Sequence, residues 1–338
     1  MPKKKSGLTV EDRINEKFGT GTIASLGKNR SRDTEVTAVP TELPSVDNAT
    51  HVGGIPQGRM IELFAPESMG KTTLAAWIVK QHLDYIEKKK VAFIDVEHAL
   101  DPHWISKVTG MDFDDERIFV SQPDYGEQAL EIAKELILSG EYSIVVIDSV
   151  ASLIPKSELE GNFADKRYAE RARLLSQACP QFAAMCSKTE TTLLWINQVR
   201  TKIGVFFGDN TDTPGGMSLK FYCSMRIELM PAKGSMVRIG DRVIGRKIKM
   251  TIVKNKVGIP FRTGIINFDF EIGIDQAKDV MIVGLEKKVL VIKDSKKKGK
   301  GCIFFGKYNL GKHDKELTKF DREAVAKHIE DILEGING

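Results

Sequence analysis

Short apolar runs alternate with amphipathic stretches through the middle of the chain, and this alternation predicts an α/β fold. Short, mainly apolar runs that predict strands lie at residues 60–65, 91–96, 144–147 and 193–196. The run at 144–147 is continuously apolar, as expected for a parallel strand covered on both faces. Helical spacing of apolar positions predicts helices at residues 74–86, 127–138 and 165–188. Further strands are expected at residues 219–229 and 246–254. Strands and helices in this order predict a mostly parallel sheet with helices on both sides.

The two ends of the chain have patterns of their own. Thr9 and Asp12 have the spacing of a capping box in front of a short amphipathic helix. Near the other end, a helix is expected from Asp321, with Gly335 as the residue that ends it. We therefore expect three parts: an N-terminal helix–strand arm at 1–35, a central α/β domain at 36–272 and a small α+β C-terminal domain at 273–338.

Composition narrows the class of protein. The 338 residues are 41% hydrophobic, which is enough for a sizeable core. No apolar run approaches the roughly 18–20 residues of a membrane span, and the N-terminus lacks a signal-peptide core, so a cytoplasmic protein without membrane partners is expected. The four cysteines form no CxxC pair, which favours reduced thiols over a zinc site. A net charge of +4 is compatible with nucleic acid without requiring it.

A phosphate-binding loop is predicted between the first apolar strand and the helix that follows it. The segment ends in Gly70-Lys71-Thr72 and has the strand–loop–helix context of a Walker A motif, with Ala65 in place of its first glycine. Lys71 would hold the β- and γ-phosphates of ATP, and the Thr72 hydroxyl would hold Mg²⁺. The expected nucleotide-binding residues here are Pro66, Glu67, Ser68, Met69, Gly70, Lys71, Thr72 and Thr73.

Polar residues follow three of the predicted strands. Asp148, Glu97 and Gln198 each come at or just after a strand end, where ligands bind parallel sheets. Asp148 is predicted to hold Mg²⁺, Glu97 to polarise the attacking water, and Gln198 to contact the γ-phosphate. The residues alone leave open that Asp148 is instead the N-cap of a following helical turn.

These residues and several longer segments resemble the RecA recombinase family. The matching segments are Ala65–Thr73, Phe93–Pro102, Ser121–Asp124, Gly126–Leu130, Val146–Lys156, Ile196–Arg200, Lys202–Val205, Lys254–Lys256, Pro260–Phe261 and Lys17–Gly27. The resemblance runs from about residue 13 to 270 and is weaker through the C-terminal part. It implies a RecA-like P-loop ATPase core with an N-terminal oligomerisation arm.

The resemblance also implies roles around ATP. Glu97 matches the catalytic glutamate, and Gln198 matches the switch that couples ATP to the DNA-binding loops. Asp101 and Trp104 fall where the family holds the adenine, with Trp104 at a position usually occupied by tyrosine.

Two lysines further along the chain match residues that reach the neighbouring subunit's ATP. In the family these positions, here Lys254 and Lys256, make the catalytic site bipartite and hydrolysis dependent on assembly. The residues alone favour two solvated lysines near a strand end.

Two segments resemble the family's DNA-binding loops, at Glu158–Arg173 and Gln198–Leu219. Ile203 is the candidate to wedge between bases, while basic side chains would neutralise phosphates. The expected DNA-binding residues are Arg173, Arg200, Lys202, Ile203, Gly204, Phe207, Gly215 and Gly216. The family pattern is broken at Tyr168, Ala169, Pro180 and Met217, which puts individual DNA contacts in doubt. Composition alone also describes an ordinary flexible loop.

The implied function is ATP-dependent homologous recombination in DNA repair. We expect a DNA-dependent ATPase that forms helical filaments on single-stranded DNA, pairs them with homologous duplex DNA, and acts in the cytoplasm with the nucleoid. The Lys296–Lys300 cluster either guides the duplex or is a solvated turn. A hexameric helicase and an ATP-binding accessory protein are the alternatives; the long second loop argues against the first, and Glu97 against the second.

Overall fold

The computed structural model describes residues 8–23, 36–161, 170–201, 211–294, 301–313 and 321–337. The chain divides into two compact units, Met1–Thr37 and Ala38–Gly338. The described part of the first unit contains helix α1 (Val10–Phe18). The capping box in front of α1 is confirmed: Thr9 Oγ1 accepts from the Asp12 backbone N–H at 3.1 Å, and the Asp12 side chain accepts from Thr9 N at 3.0 Å.

The second unit holds the remaining helices and all described strands. The strands are β1 (Ala38–Val39), β2 (Ile55–Pro56), β3 (Met60–Ala65), β4 (Lys90–Asp95), β5 (Ile118–Ser121), β6 (Tyr142–Asp148), β7 (Thr192–Gln198), β8 (Arg200–Thr201), β9 (Thr211–Asp212), β10 (Met225–Ile239), β11 (Arg242–Asn255), β12 (Thr263–Asp269), β13 (Gly273–Ile274), β14 (Leu290–Asp294), β15 (Gly301–Phe305) and β16 (Tyr308–His313). The helices are α2 (Pro44–Thr50), α3 (Lys71–Tyr85), α4 (Pro102–Thr109), α5 (Gly126–Ser139), α6 (Lys156–Leu159), α7 (Glu170–Thr189), α8 (Gly216–Tyr222), α9 (Gln276–Glu286), α10 (Arg322–Ala326) and α11 (Ile329–Asn337).

A nine-stranded sheet forms the centre of this unit, in the order β13-β12-β11-β10-β3-β7-β6-β4-β5. Every neighbouring pair from β10 to β5 is parallel, and the pairs from β10 to β13 are antiparallel. The predicted α/β class with a mostly parallel sheet is therefore confirmed. Strands β3, β7, β6 and β4 lie side by side, so their carboxyl ends meet at one edge.

The alternation of side chains along each strand produces a hydrophobic core on each face of the sheet. On β4, Val91 and Phe93 belong to the core that includes α3, whereas Ala92 and Ile94 belong to the core that includes α5 and α7. Successive side chains of a strand point to opposite faces, so a strand covered on both faces is apolar at nearly every position. This requirement explains the continuous apolar runs in the sequence.

The C-terminal region has a core of its own. Strands β14, β15 and β16 form a three-stranded antiparallel sheet. Leu290 and Ile303 from this sheet pack in one cluster with Val280 of α9 and with Ile332 and Ile336 of α11.

Three details of the predicted elements are wrong. Residues 216–222 form helix α8, and the strand expected at 219–229 begins only at Met225. The C-terminal helix is two helices, α10 and α11. Gly335 lies inside α11 instead of ending it. A Cβ at this position would lie 3.0 Å from Val289 Cγ1, so the glycine allows the helix to pack closely against Val289. Across the described ranges, no helix is long and apolar enough to span a membrane.

Candidate nucleotide and DNA site

The predicted phosphate loop connects β3 to α3 at the carboxyl edge of the sheet. Gly70 has φ 72° and is the N-cap of α3, a left-handed conformation that favours glycine. Ala65, which replaces the first glycine of the usual motif, is a residue of β3 and is absent from the positive-φ residues of the described chain. The replacement therefore carries no backbone strain.

Lys71 folds back over the loop that precedes it. Its Nζ donates to the carbonyl oxygens of Pro66 at 3.0 Å and Ala65 at 3.4 Å. Burial lowers the pKa of Lys71, while the carboxylates of Asp148, Glu97 and Glu67 raise it. The ammonium thus lies over the loop that leads into α3, a helix N-terminus whose first backbone N–H groups favour a phosphate.

Asp148 ends β6 and contacts the helix that follows the phosphate loop. Its Oδ2 accepts from Thr72 Oγ1 at 2.8 Å. Burial raises the pKa of Asp148 to about 6, against the opposing hydrogen bond from Thr72. The N-cap alternative is excluded, because Ser149, and not Asp148, precedes the short 3₁₀ turn Val150–Ser152. A hydroxyl and a carboxylate are hard oxygen ligands that suit Mg²⁺.

Glu97 and Gln198 meet at the same edge, as their positions after neighbouring strands predict. Gln198 Nε2 donates to Glu97 Oε1 at 3.1 Å. The same oxygen accepts from the hydroxyls of Ser149 and Ser152, the latter at 3.4 Å. The two serines were missed in the sequence, where their only signal is that they lie one and four residues after Asp148, past a strand end.

A pocket of about 330 Å³ opens beside the phosphate loop. It is lined by Ser68, Met69, Gly70, Thr73, Trp104, Arg246, Ile248, Phe268, Asp269, Phe270 and Gly273. Trp104 is 38% exposed, so its ring is available for stacking. Asp101 does not line the pocket; its carboxylate caps α4 by accepting from Trp104 N at 3.1 Å. The structure thus brings Trp104, but not Asp101, to the pocket next to the loop.

Arg246 is a pocket residue that the sequence did not reveal. Its Nη1 donates to the carbonyl oxygen of Ser68 in the phosphate loop at 3.3 Å. Its Nε is buried and has no hydrogen-bond partner within the described part of the chain. Buried donors are nearly always satisfied, and this one belongs to a residue that lines the pocket. Arg246 reaches the pocket because of the register in which β11 pairs with β12. No local sequence motif predicts this position.

Lys254 and Lys256 lie far from the phosphate loop of their own molecule. Lys254 pairs with Arg226 on β10, and Arg226 pairs with Glu62 of β3. Glu62 precedes Ala65 by three residues, about 10 Å along a strand.

The ammonium groups of these two lysines cap the C-terminal end of α8. Lys254 Nζ donates to the carbonyl oxygens of Lys220 at 2.6 Å and Phe221 at 2.7 Å, and Lys256 Nζ donates to that of Phe221 at 2.9 Å. Burial lowers the pKa of Lys254, and Lys256 lowers it further. Both cations therefore lie where a helix end favours positive charge.

The described part of the predicted DNA-binding region places two of the predicted basic residues at the surface. Arg173 lies exposed on α7, and Arg200 is exposed on β8, which pairs with β9 where the chain returns. Gly215 and Gly216, with φ 102° and 71°, begin α8. Arg171 is a further basic residue of this region that was not among the predicted DNA-binding residues. Burial lowers its pKa, and so does the charge of Arg200 nearby. Four predicted DNA-binding residues lie outside the described ranges, namely Lys202, Ile203, Gly204 and Phe207.

Comparison with known proteins agrees with this geometry. The sequence model of the RecA N-terminal domain matches residues 8–275. Protein RecA of Syntrophus aciditrophicus is 44% identical over 279 residues, covering 82% of this chain and 78% of the relative. Protein RecA of Ruminococcus albus is 42% identical over 335 residues, covering 98% and 80%.

A thermophilic relative is similar over almost as much of the chain. Protein RecA of Thermus aquaticus is 39% identical over 323 residues, covering 95% of this chain and 90% of the relative. With a phosphate loop, a strand-end carboxylate and a glutamate–glutamine pair at one sheet edge, the chain belongs to the RecA family, the DNA-dependent ATPases that carry out strand exchange in DNA recombination and repair.

Proposed function

We propose that the sheet edge at Lys71, Thr72 and Asp148 binds ATP together with Mg²⁺. The Thr72–Asp148 contact of 2.8 Å supports this proposal most directly, since it joins two oxygen ligands beside the phosphate loop. Lys71 would leave its loop carbonyls for the β- and γ-phosphates. Bound Mg²⁺ would supply charge neutralisation on those phosphates, with Thr72 and Asp148 as its protein ligands.

In this proposal Glu97 is the residue that activates water. Its Oε1 is held by Gln198 and by two serine hydroxyls, so the carboxylate is fixed at the edge where the γ-phosphate would lie. Glu97 would orient the attacking water and accept its proton, while Gln198 would exchange its bond to Glu97 for one to the γ-phosphate. The base would stack on Trp104, with Arg246 donating to an acceptor of the nucleotide.

DNA is the proposed partner of the two loop segments. Arg173 and Arg200 are exposed cations within them, and Gly215 and Gly216 have the positive φ angles at which the second loop returns. Single-stranded DNA would bind first, in the cytoplasm and at the nucleoid, and homologous duplex DNA would then be tested by base pairing. Specificity would come from the paired strands.

The family's homo-oligomer would be an open helical filament with a shared ATP site. The support is the position of Lys254 and Lys256, about 10 Å or more of strand away from their own phosphate loop. Cations in that position serve ATP only if a second copy brings its own phosphate loop to them. A head-to-tail contact of this kind is heterologous and generates a helix when it does not close.

The test is phosphate release from ATP with and without single-stranded DNA, across protein concentration. DNA should stimulate turnover cooperatively, and Glu97→Gln should lower the stimulated rate by about 100-fold or more, as expected for loss of a general base. Glu87→Gln, at an exposed glutamate after α3, is the matched control and should behave as the wild type. A rate of ATP hydrolysis that is the same with and without DNA would contradict the proposal and favour an accessory ATP-binding role.

A further inference from the structure

A buried polar network connects the centre of the sheet to the point where the second loop returns. Glu62 is fully buried on β3, and the Nε of Arg226 on neighbouring β10 donates to its carboxylate. From the other neighbouring strand, Asn197 Nδ2 donates to Glu62 Oε1 at 2.8 Å. A carboxylate inside a sheet is costly unless it is paired, so these partners fix its position.

Asn197 extends this network to the loop. Its Nδ2 also donates to the carbonyl oxygen of Pro214 at 2.9 Å, and its Oδ1 accepts from the backbone N–H of Gln198 at 2.9 Å. Pro214 directly precedes Gly215, where a Cβ would lie 2.8 Å from Leu175 Cδ1. The return of the loop is therefore tied to β7 by a hydrogen bond and has no free space on its other side.

The residue next to Asn197 contacts the catalytic edge. Successive side chains of a strand point to opposite faces, and at the end of β7 Gln198 reaches Glu97 while Asn197 reaches Glu62 and Pro214. Because Asn197 Oδ1 accepts the backbone N–H of Gln198, a shift of the Gln198 backbone acts on the side chain whose Nδ2 anchors Pro214.

We infer that Asn197 and Glu62 are positioning residues that transmit the nucleotide state to the return of the second loop. Glu62 is held in place by Arg226. The Nδ2 of Asn197 donates one hydrogen bond to Glu62 and another to the carbonyl oxygen of Pro214. Binding of ATP at Gln198 thereby changes how residues 213–219 are held. The inference rests on the proposed function, since it takes the loop as the DNA-binding element.

The test compares two dissociation constants for single-stranded DNA. The measured ratio is the Kd without nucleotide divided by the Kd with a saturating non-hydrolysable ATP analogue. Asn197→Ala should lower this ratio about tenfold, within the usual range of coupling between sites. The matched control is Asn267→Ala: Asn267 is also a buried asparagine of the same sheet, yet its amide has no hydrogen-bond partner within the described ranges. The control should keep the wild-type ratio.

A second measurement needs no variant. Hydrogen–deuterium exchange of the 213–219 amides in the wild type, without DNA, should change when the ATP analogue binds. Unchanged exchange there, or a wild-type ratio in a folded Asn197→Ala, would overturn the inference and leave the proposed function standing. Failure of the wild type to bind single-stranded DNA would overturn both.

Discussion

At the scale of single residues, burial and neighbouring charge set the state of the groups at the nucleotide site. Burial raises the pKa of Asp148 to about 6 and lowers that of Lys71, so holding each charge at this buried edge costs free energy. Mg²⁺ beside the carboxylate and phosphate beside the ammonium would remove both costs. Ligand binding is thereby favoured by groups that the protein alone leaves partly uncompensated.

Arg246 gives a direct prediction at this scale. Arg246→Ala should raise the Kd for ATP about tenfold, because it removes a charge-assisted donor from the pocket. The control is Arg242→Ala on the same strand, whose side chain is 75% exposed and pairs with Glu271. Fluorescence titration with an ATP analogue measures both variants, and equal affinities would show that Arg246 does not contact the nucleotide.

His82 predicts how stability depends on pH. It is fully buried in α3, both ring nitrogens lack hydrogen-bond partners within the described residues, and burial lowers its pKa to about 3. The unfolded chain binds a proton near pH 6.5. Stability is therefore unaffected above pH 6.5 and is lost as pH falls from there towards 3.

Replacing this histidine should remove that pH dependence. Relative to His82→Leu, the wild type should lose about 2 kcal/mol of unfolding free energy between pH 7 and pH 5. Urea denaturation at the two pH values measures the difference. Parallel losses in the two proteins would mean that His82 is protonated, or exposed, in the folded state.

At the scale of elements, the turn from β3 into α3 shows why a glycine is required at one position. Gly70 has φ 72°, and a Cβ there would lie 2.7 Å from the ring of Phe268, which lines the nucleotide pocket. Gly140 ends α5 with a similar φ of 69° but has no atom within 4 Å of a Cβ position. The two glycines share a left-handed backbone, but only Gly70 lies in the phosphate loop and against another side chain.

Alanine substitutions at Gly70 and Gly140 distinguish the effect of a strained backbone from the effect of a crowded side-chain position. Gly70→Ala and Gly140→Ala should each lower stability by about 1 kcal/mol through the left-handed backbone. Only Gly70→Ala should also weaken ATP binding, by at least about tenfold, because Phe268 must move within the pocket. Thermal unfolding and nucleotide titration give the two readouts, and unimpaired ATP binding by Gly70→Ala would refute the crowding argument.

The elements also show what the sequence could predict. The apolar runs of β3, β4, β6 and β7 and the strand-end residues Glu97, Asp148 and Gln198 follow from local pattern, because parallel strands bring their carboxyl ends together. Helix α8 and the position of Arg246 depend on long-range register and on the packing around Gly215. Such long-range contacts produce no periodic pattern in the sequence, so only the structure reveals them.

At the scale of the whole molecule, the proposed catalytic groups are distributed over two ends of one sheet. Lys71, Glu97 and Gln198 lie at the carboxyl edge, while Lys254 and Lys256 lie towards the other end, against the carbonyl oxygens that close α8. Within one copy, Lys254 registers with Glu62, three residues before the end of β3. We therefore propose that hydrolysis depends on contact between copies along DNA.

Mixing two inactive variants tests this claim most directly. Glu97→Gln and the double variant Lys254→Ala, Lys256→Ala should each lose DNA-stimulated ATP hydrolysis. An equal mixture on single-stranded DNA should regain about one quarter of the wild-type rate, since random order places an intact Glu97 against an intact lysine pair at a quarter of the interfaces. A mixture no more active than its separate components would contradict the shared site.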